Sequence, residues 1–450
     1  MPFGVTCILV LLAVICIMFL VLKRPIYEAM FVGYIAMIIC TNQWSDFFTH
    51  VFKTSSDTLF YAIVAFLVLA KILDETKAVD KVVAIIVSIF GRLPGGAGYT
   101  AIIASTFMGA LSGSGAGNVA VTGTFTIPAM KKSGFPPHLA ANVEASSSTM
   151  GNMIPPAGVI VAALACYNEF TGADMSQSTF WIACWGISLW FILQRIVTLY
   201  AYCKIYKIKP MEKSEIPSFK QTMKEGGIYL LLPVVIILPF VLDFFFKSTF
   251  YTQRLGAGAA NMSSSLLLFT PGLTAFIALL LSKKETKISF GKLIDTLSKS
   301  AKSIVPVSVT IFFAYCISNL FSATSIGKEM GEFIMGWDLS SVALCFIIPA
   351  VTAILGMVLP GSAQTKIFGT TIIAVLAASG VNPLLAAAML PAITGAMEGM
   401  TPPLALCTYT AMGIAKSGMK ETTINAYIWV ALHYIMSVVC LLGLLPIMGI

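Results

Sequence analysis

Apolar runs of roughly 17–25 residues recur along this chain, and each is long enough to cross a bilayer as a helix. The clear runs cover 5–22, 179–202, 226–246, 263–282, 303–321 and 425–449. Shorter or polar-interrupted runs cover 27–41, 58–73, 139–166 and 384–412. Two further pairs of apolar arms, 97–111 with 115–130 and 340–358 with 362–378, flank tips made of glycine and serine. Each pair is expected to enter the bilayer and turn back at its tip. Such re-entry is allowed at membrane depth only where it is buried in protein or lines a cavity. Segments 77–92 and 324–337 precede the two hairpins. Both are short and amphipathic and are expected to lie along the interface as arms. The pattern predicts an all-α polytopic membrane protein of about ten spanning helices, two re-entrant hairpins and two interfacial arm helices.

The pattern also repeats. SGFPPHLAANVEASSSTMGNMIPPAG, from residue 133, matches SGVNPLLAAAMLPAITGAMEGMTPPLA, from residue 379. Gly134 pairs with Gly380, Pro155-Pro156 with Pro402-Pro403, and Gly113-Ser114 with Gly361-Ser362, at offsets of 246 to 248 residues. Duplicated, interrupted membrane segments mark secondary transporters whose site lies between two repeats. The expected organisation is an extra N-terminal span (1–24), a first repeat (25–202, hairpin 97–130, broken helix 139–166), a connecting region (203–262) and a second repeat (263–450, hairpin 340–378, broken helix 384–412).

Composition fits this class. The chain is 58% hydrophobic and 11% charged, against about 25% charged in a soluble domain. Its net charge of +8 needs no nucleic-acid partner, because the lysines cluster in loops beside apolar spans. Loops 203–225 and 283–302 each hold six lysines and are expected to face the cytoplasm. The lysine-poor stretch STFYTQRLGAGAAN between them is expected outside. AMKKSGFPP is basic and its counterpart LAASGVNP is uncharged, so corresponding connectors fall on opposite sides. Five crossings separate corresponding spans, which predicts inverted copies with both termini outside. The N-terminal run has no basic n-region and no evident cleavage site. It reads as a retained span ending at the Lys23-Arg24 pair.

The ten cysteines include no CxxC pair, and His50, His138 and His433 are scattered. That speaks against the usual zinc spacings and a disulfide framework. Candidate chemistry lies instead in the broken elements. Ser112, Ser114 and Asn118 surround the first tip, and their oxygens suit sodium or another hard cation. Gly151 and Pro155 interrupt the following helix and free backbone carbonyls. In the second copy Gly356, Gly361, Ser362 and Thr365 mark the tip, while Thr394, Gly399, Thr401 and Pro402 mark the break. One ion site is expected at each tip-and-break pair. An anion is expected between Ser114 and Ser362, near Asn118 and Asn152, where half-helix N-termini carry partial positive charge. Three charges fall inside these elements, and intramembrane charges are usually functional. Glu144 either serves the site or hydrogen-bonds structurally near the cytoplasmic end of its helix. Lys366 either meets the anion or snorkels outward. Glu398 either ligates a cation, takes a proton or pairs with Lys366.

The run GALSGSGAGNVAVTGTFTIPAMKKSGFPPHLAANVEASSSTMGNMIPP resembles the large membrane subunit of tripartite ATP-independent periplasmic (TRAP) transporters. It is most similar to the branch that pairs with TAXI-type binding proteins. LGMVLPGSAQTK and MTPPLALCTYTAMGIA resemble the second half of that family. The resemblance implies an ion-transporter-superfamily elevator fold in a bacterial inner membrane. It implies sodium as coupling ion, no other cofactor, and an organic anion such as a carboxylate as substrate. It implies two protein partners, a periplasmic binding protein and a four-span small membrane subunit, besides membrane lipid. Gly361-Ser362 departs from the commoner pair of threonines, and Glu398 stands where the family usually has no charge. A related carrier acting alone as a homodimer is the alternative. An intramembrane enzyme is not expected, since no His-Glu-x-x-His, paired aspartates or Gly-x-Ser-x-Gly elbow occurs. Paired hairpins suit alternating access better than a channel.

Overall fold

Proline and glycine cut the apolar chain into helices at the places where its pattern breaks. The computed structural model describes residues 2–112, 115–173, 175–246, 250–256, 258–286, 290–324, 326–357, 359–402 and 405–450, and among them every regular element is helical. α1 (Phe3–Cys16), α2 (Ile26–Thr41), α3 (Phe47–Ser55) and α4 (Thr58–Glu75) open the chain. α5 (Ala78–Phe90) leads into the pair α6 (Gly96–Ser112) and α7 (Gly115–Lys132). α8 (Pro137–Thr149) stops at a 3-10 turn over Met150–Asn152, and α9 (Gly158–Thr171) resumes. α10 (Gln177–Ile205), α11 (Phe219–Gly226), α12 (Leu231–Phe246), α13 (Thr252–Leu255) and α14 (Gly258–Thr286) fill the middle. α15 (Phe290–Ala323) and α16 (Ile326–Met335) lead into the second pair, α17 (Ser341–Leu355) and α18 (Gly361–Ala378). α19 (Pro383–Leu390) continues as a π-helical stretch, Pro391–Ala396, before α20 (Leu406–Ala415) and α21 (Met419–Leu441).

Helix boundaries follow local chemistry. Asn382 Oδ1 accepts from the amides of Leu384 (2.8 Å) and Leu385 (3.4 Å), capping α19, and Pro383 stands where a missing N–H costs nothing. α10, α21 and the 304–323 part of α15 are long and apolar enough to cross a membrane by length and composition. Large side chains such as Phe245, Phe269 and Phe276 point outward, as lipid-facing helices require.

Two turns of the chain match bond for bond. After α7 the amide of Gly134 donates to Lys131 O and that of Phe135 to Met130 O. After α18 the amide of Gly380 donates to Ala377 O and that of Val381 to Leu376 O. Both glycines have φ 100, which an L side chain rarely adopts. The motif ends each helix and aims the next one, α8 or α19, back onto it.

Packing then crosses over between the copies. α8 lies against α6 and α7 of its own copy, and α20 packs on α7 and α8. Correspondingly α19 lies against α18, and α9 packs on α18 and α19. Each hairpin therefore meets the first half of its own broken helix and the second half of the other. α10 packs on α6 and α19, α21 on α17 and α8, and the two long helices touch each other. These elements form a central body. α1, α2, α3, α4, α12, α14 and α15 form an outer layer, which meets the body through contacts of α15 with α18, of α4 with α6 and α9, and of α12 with α10. The two arms join the layers: α5 packs on α4 and α6, and α16 on α1, α15 and α18.

Three local readings change. The 425–449 run is helical only to Leu441. The chain turns at Gly443 (φ 68) and lies back on α10, where Trp190 Nε1 donates to Pro446 O at 2.9 Å. The stretch 42–57, left between the apolar runs 27–41 and 58–73, contains α3, whose buried face carries His50 and Thr54. The basic loop 203–225 contains α11, packed on α5. Polar residues on the buried faces of these two short helices hid their period.

The open surroundings of both turn glycines give a clean test. No atom lies within 4 Å of a Cβ built on Gly134 or Gly380. Gly134→Ala and Gly380→Ala are therefore expected to destabilise by similar amounts, about 1–2 kcal/mol each from backbone strain alone. Thermal melting of the purified variants checks this, and a clearly unequal pair contradicts the equivalence.

Candidate functional site

Both tips and both breaks converge on one place in the central body. A Cβ on Gly361 would lie 2.2 Å from Gly395 Cα, so α18 starts in direct backbone contact with the π-helical stretch. Glu398 Oε2 accepts the Gly361 amide. Asn152, in the 3-10 turn, donates from Nδ2 to Gly395 O at 2.5 Å and so joins the two breaks. Cys407, at the start of α20, lies beside both Gly115 and Gly399: its sulfur is 2.6 Å from a Cβ built on either. The small residues at these places let backbones approach as side chains would not.

The predicted first ion site lies around Asn118, Gly151 and Pro155, all buried. Asn118 Nδ2 donates to Ser105 O at 2.6 Å, and its Oδ1 lies 3.4 Å from Thr122 Oγ1. The carbonyls of Gly151 and Pro155 accept no hydrogen bond among the described residues. Ser112 ends α6, and Ser114 lies outside the described residues. Around the second, Thr394 Oγ1 gives its proton to Leu390 O (2.7 Å), so Thr365 Oγ1 is the donor in the 2.7 Å contact between the two hydroxyls. Gly356 lies against Gln364 and Glu398. Thr401 Oγ1 donates back to Met397 O at 3.1 Å, and Pro402 is half-buried beside it. Gly399 differs from its expected role. Its carbonyl accepts the amides of Cys407 (3.1 Å) and Thr408 (3.2 Å), so both lone pairs are engaged.

The three intramembrane charges each have a defined place. Glu144 is buried among four hydroxyls. Its Oε1 accepts from Ser105 (2.7 Å), Thr122 (2.5 Å) and Ser148 (3.1 Å), and its Oε2 from Thr126 (2.5 Å). This is the structural hydrogen-bonding role. A stripe of polar residues four apart on α7, Asn118, Thr122 and Thr126, was its visible sign in the sequence. Glu398 caps the α18 N-terminus, a favourable place for a carboxylate. Lys366 does not pair with it. Lys366 Nζ sits 4.5 Å from the centroid of the Tyr315 ring on α15, a cation–π contact between body and outer layer. Ser362 is half-buried one residue into α18.

Sequence reasoning passed over Arg195, a fourth charge, midway along the 179–202 run. It is buried on α10 and donates from Nε to Ser146 O at 3.0 Å. Its Nη1 reaches Gln194 Oε1 (2.9 Å) and Phe191 O (3.3 Å). Its Nη2 lies 3.0 Å from Nδ1 of His433 on α21, and His433 Nε2 lies 2.8 Å from Ala392 O. A guanidinium has no acceptor and a carbonyl no donor. His433 is therefore the neutral tautomer with its proton on Nε2. Ser146 and Ala392 stand 246 residues apart, at the offset of the two repeated turns. The clamp thus holds corresponding carbonyls of the two broken helices.

His433→Leu removes both bonds and leaves a buried donor and a buried carbonyl unpaired, at about 1–3 kcal/mol each. His433→Gln, with one acceptor and one donor, is expected to recover part of that loss. Melting of the two variants in the same detergent separates them. Equal losses would mean that His433 acts by volume alone.

The model of the family described as "Tripartite ATP-independent periplasmic transporter, DctM component" matches residues 5–448. A C4-dicarboxylate TRAP transporter large permease protein of Vibrio cholerae is 23% identical over 84% of this chain and 82% of its own length. The 2,3-diketo-L-gulonate TRAP transporter large permease protein of Escherichia coli is 21% identical over 90% of this chain and 91% of its own. An isethionate TRAP transporter permease protein of Oleidesulfovibrio alaskensis is 21% identical over 90% of this chain, which spans only 60% of that longer relative. Two solved transporters share the fold. Neisseria gonorrhoeae MtrF has a TM-score of 0.63 at 12% identity, covering 90% of this chain and 85% of its own. Alcanivorax borkumensis YdaH has a TM-score of 0.57 at 13% identity, covering 90% and 89%.

Proposed function

This chain belongs to the family of the DctM component of TRAP transporters, and on that basis we propose that it is the sodium-coupled membrane subunit of an organic-anion importer. It is a multi-pass permease subunit of a secondary transporter and not an enzyme. Large permeases of this family work with a substrate-binding protein and a small membrane subunit. For this chain the proposed partners are a periplasmic binding protein, of the TAXI type, and a four-span small subunit in a bacterial inner membrane.

The observation that carries the proposal is the convergence of both tips and both breaks, crossed over between the two copies. Crossed packing of this kind supports two inverted repeats around one midplane site. It also supports an elevator motion in which the central body shifts as a unit against the outer layer. A sodium ion at the first pair would find the Asn118 Oδ1 and the unengaged carbonyls of Gly151 and Pro155, with Ser112 and Ser114 at the tip. At the second pair the oxygens of Thr365, Thr394 and Thr401 are the candidates.

The anion follows from charge. Relatives are named for C4-dicarboxylates, isethionate and 2,3-diketo-L-gulonate, all small organic anions. Here the proposed anion lies near Ser114, Asn152 and Ser362. Glu398 already answers the α18 N-terminus, so an anion there must share it or draw on bound sodium, which couples the two ligands. Lys366 is one turn away from Ser362 and would have to leave the Tyr315 ring to reach the substrate.

Uptake of carboxylates and sulfonates by the purified complex, with its binding protein, tests the proposal. Transport is expected to require a sodium gradient, and Asn118→Ala to raise the sodium concentration for half-activation roughly tenfold, the loss of about 1.4 kcal/mol of ion binding. Uptake that is as fast without sodium sinks the coupling ion, and transport of neutral sugars alone sinks the anion. Lys366→Gln is expected to raise the half-saturating anion concentration if the lysine moves to the substrate. A silent variant confines it to the Tyr315 ring.

A further inference from the structure

A cleft of about 720 Å³ opens on the basic side of the molecule, away from the convergence of tips and breaks. That is within the roughly 300–1,000 Å³ of ordinary ligand pockets. It lies between the turn joining α5 to α6, the start of α6, and the end of α10. Phe90, Ile103, Ile196 and Ile208 make its walls apolar. Tyr99 and Tyr200 line it as well, and tyrosine favours the membrane–water boundary, where one end of the ring is dry and the other wet. Lys204 and Lys207 complete the lining, and no acidic side chain contributes.

The two lysines differ from the neighbouring pair Lys131 and Lys132. Lys132 is paired with Glu215, and Lys131 Nζ donates to Ala415 O at 2.8 Å. Neither Lys204 nor Lys207 has an acidic partner among the described residues. Lys204 Nζ only stands 5.5 Å from the Tyr200 ring centroid. The frame of the cleft is fixed by backbone. Gly95 N donates to Lys209 O (3.4 Å), Lys209 N to Ser133 O (3.1 Å) and Met211 N to Gly91 O (3.2 Å). These bonds hold the segment after α10 against both ends of the first hairpin.

An apolar slot with two ammonium groups that have no acidic partner among the described residues matches a ligand with a hydrocarbon chain and a phosphate. We propose that the cleft holds one anionic phospholipid, its acyl chain between Phe90, Ile103 and Ile196 and its phosphate at Lys204 and Lys207. Basic pockets between membrane helices bind such headgroups. Its assignment to the cytoplasmic leaflet rests on the orientation proposed above; the binding itself does not. A lipid here sits where the first arm, the first hairpin and α10 meet.

The test uses the full chain in nanodiscs made with equal parts of phosphatidylglycerol and phosphatidylcholine, followed by transfer to detergent and native mass spectrometry. Phosphatidylglycerol is expected to stay bound while phosphatidylcholine is lost. Each lysine near a lipid headgroup contributes about a fivefold factor, so Lys204→Gln with Lys207→Gln should weaken retention about 25-fold. The doubly arginine-substituted chain, Lys204→Arg with Lys207→Arg, should retain the lipid and so controls for folding. Equal retention of both lipids, or no effect of the double glutamine variant, overturns the proposal. So does displacement by inorganic phosphate, which would make the site a headgroup site without a chain. A photo-reactive group at Leu93 that captures a polypeptide instead of lipid overturns it as well. None of these measurements needs sodium or substrate, so a failure of the transport reading leaves the result interpretable.

Discussion

Everything in the central body follows from one requirement: a helix broken inside an apolar medium must find new partners for its backbone. Each break here releases carbonyls that water cannot reach. The protein answers most of them with its own groups. Arg195 takes Ser146 O, His433 takes Ala392 O, and Ser188 Oγ takes Met153 O at 2.6 Å. The first amides of α20 take Gly399 O. Among the described residues the carbonyls of Gly151 and Pro155 remain without a partner, as do Oε1 of Gln364 and Oγ1 of Thr408.

The two copies are alike in frame and unlike in filling. Gly123 and Gly369 stand 246 residues apart, each on the returning arm of its hairpin. A Cβ on Gly123 would meet Glu144 Cγ at 3.2 Å, and one on Gly369 would meet Leu390 Cδ1 at 3.1 Å. Glu144 and Leu390 are themselves 246 residues apart. The same close approach of helices thus surrounds a hydroxyl-bound carboxylate in one copy and a leucine in the other. A buried carboxylate is tolerated only with such partners, and α7 supplies Thr122 and Thr126 for it where the equivalent positions of α18 are Phe368 and Ile372. At this position the first copy is polar and the second apolar, although their backbones turn alike.

Much of this was legible in the sequence, because breaks are written in proline and glycine. The hairpin arms, the halves of both broken helices and the two arm helices stand close to where periodicity and punctuation put them. The matched turns at Gly134 and Gly380 were visible as a shared SGxxP pattern. What was hidden is what depends on neighbours distant in the chain. No local signal says that α20 packs on the first hairpin, or that α9 packs on the second. Lys366 offered a substrate contact or a snorkel by its position alone, and nothing near it in the chain announced the ring of Tyr315, more than fifty residues upstream, over which it sits. His433 read as one of three unconnected histidines until α10 brought Arg195 beside it. Glu398 was read for its charge, while its neighbour, the first amide of α18, decides what that charge does.

The crossover of the broken helices has a consequence for how the chain is made. As synthesis proceeds, α6, α7 and α8 enter the membrane long before α20 exists, and α9 long before α18 and α19. Each early group leaves the ribosome with one wall of its helix cluster missing. The buried carboxylate of Glu144 already has its hydroxyls, all from residues 105–148, so this charge arrives with its partners. α9 has no such provision and must wait for the second hairpin. Glu398 likewise finds the Gly361 amide within its own copy, so each buried carboxylate of the broken helices is answered before α20 closes the first group.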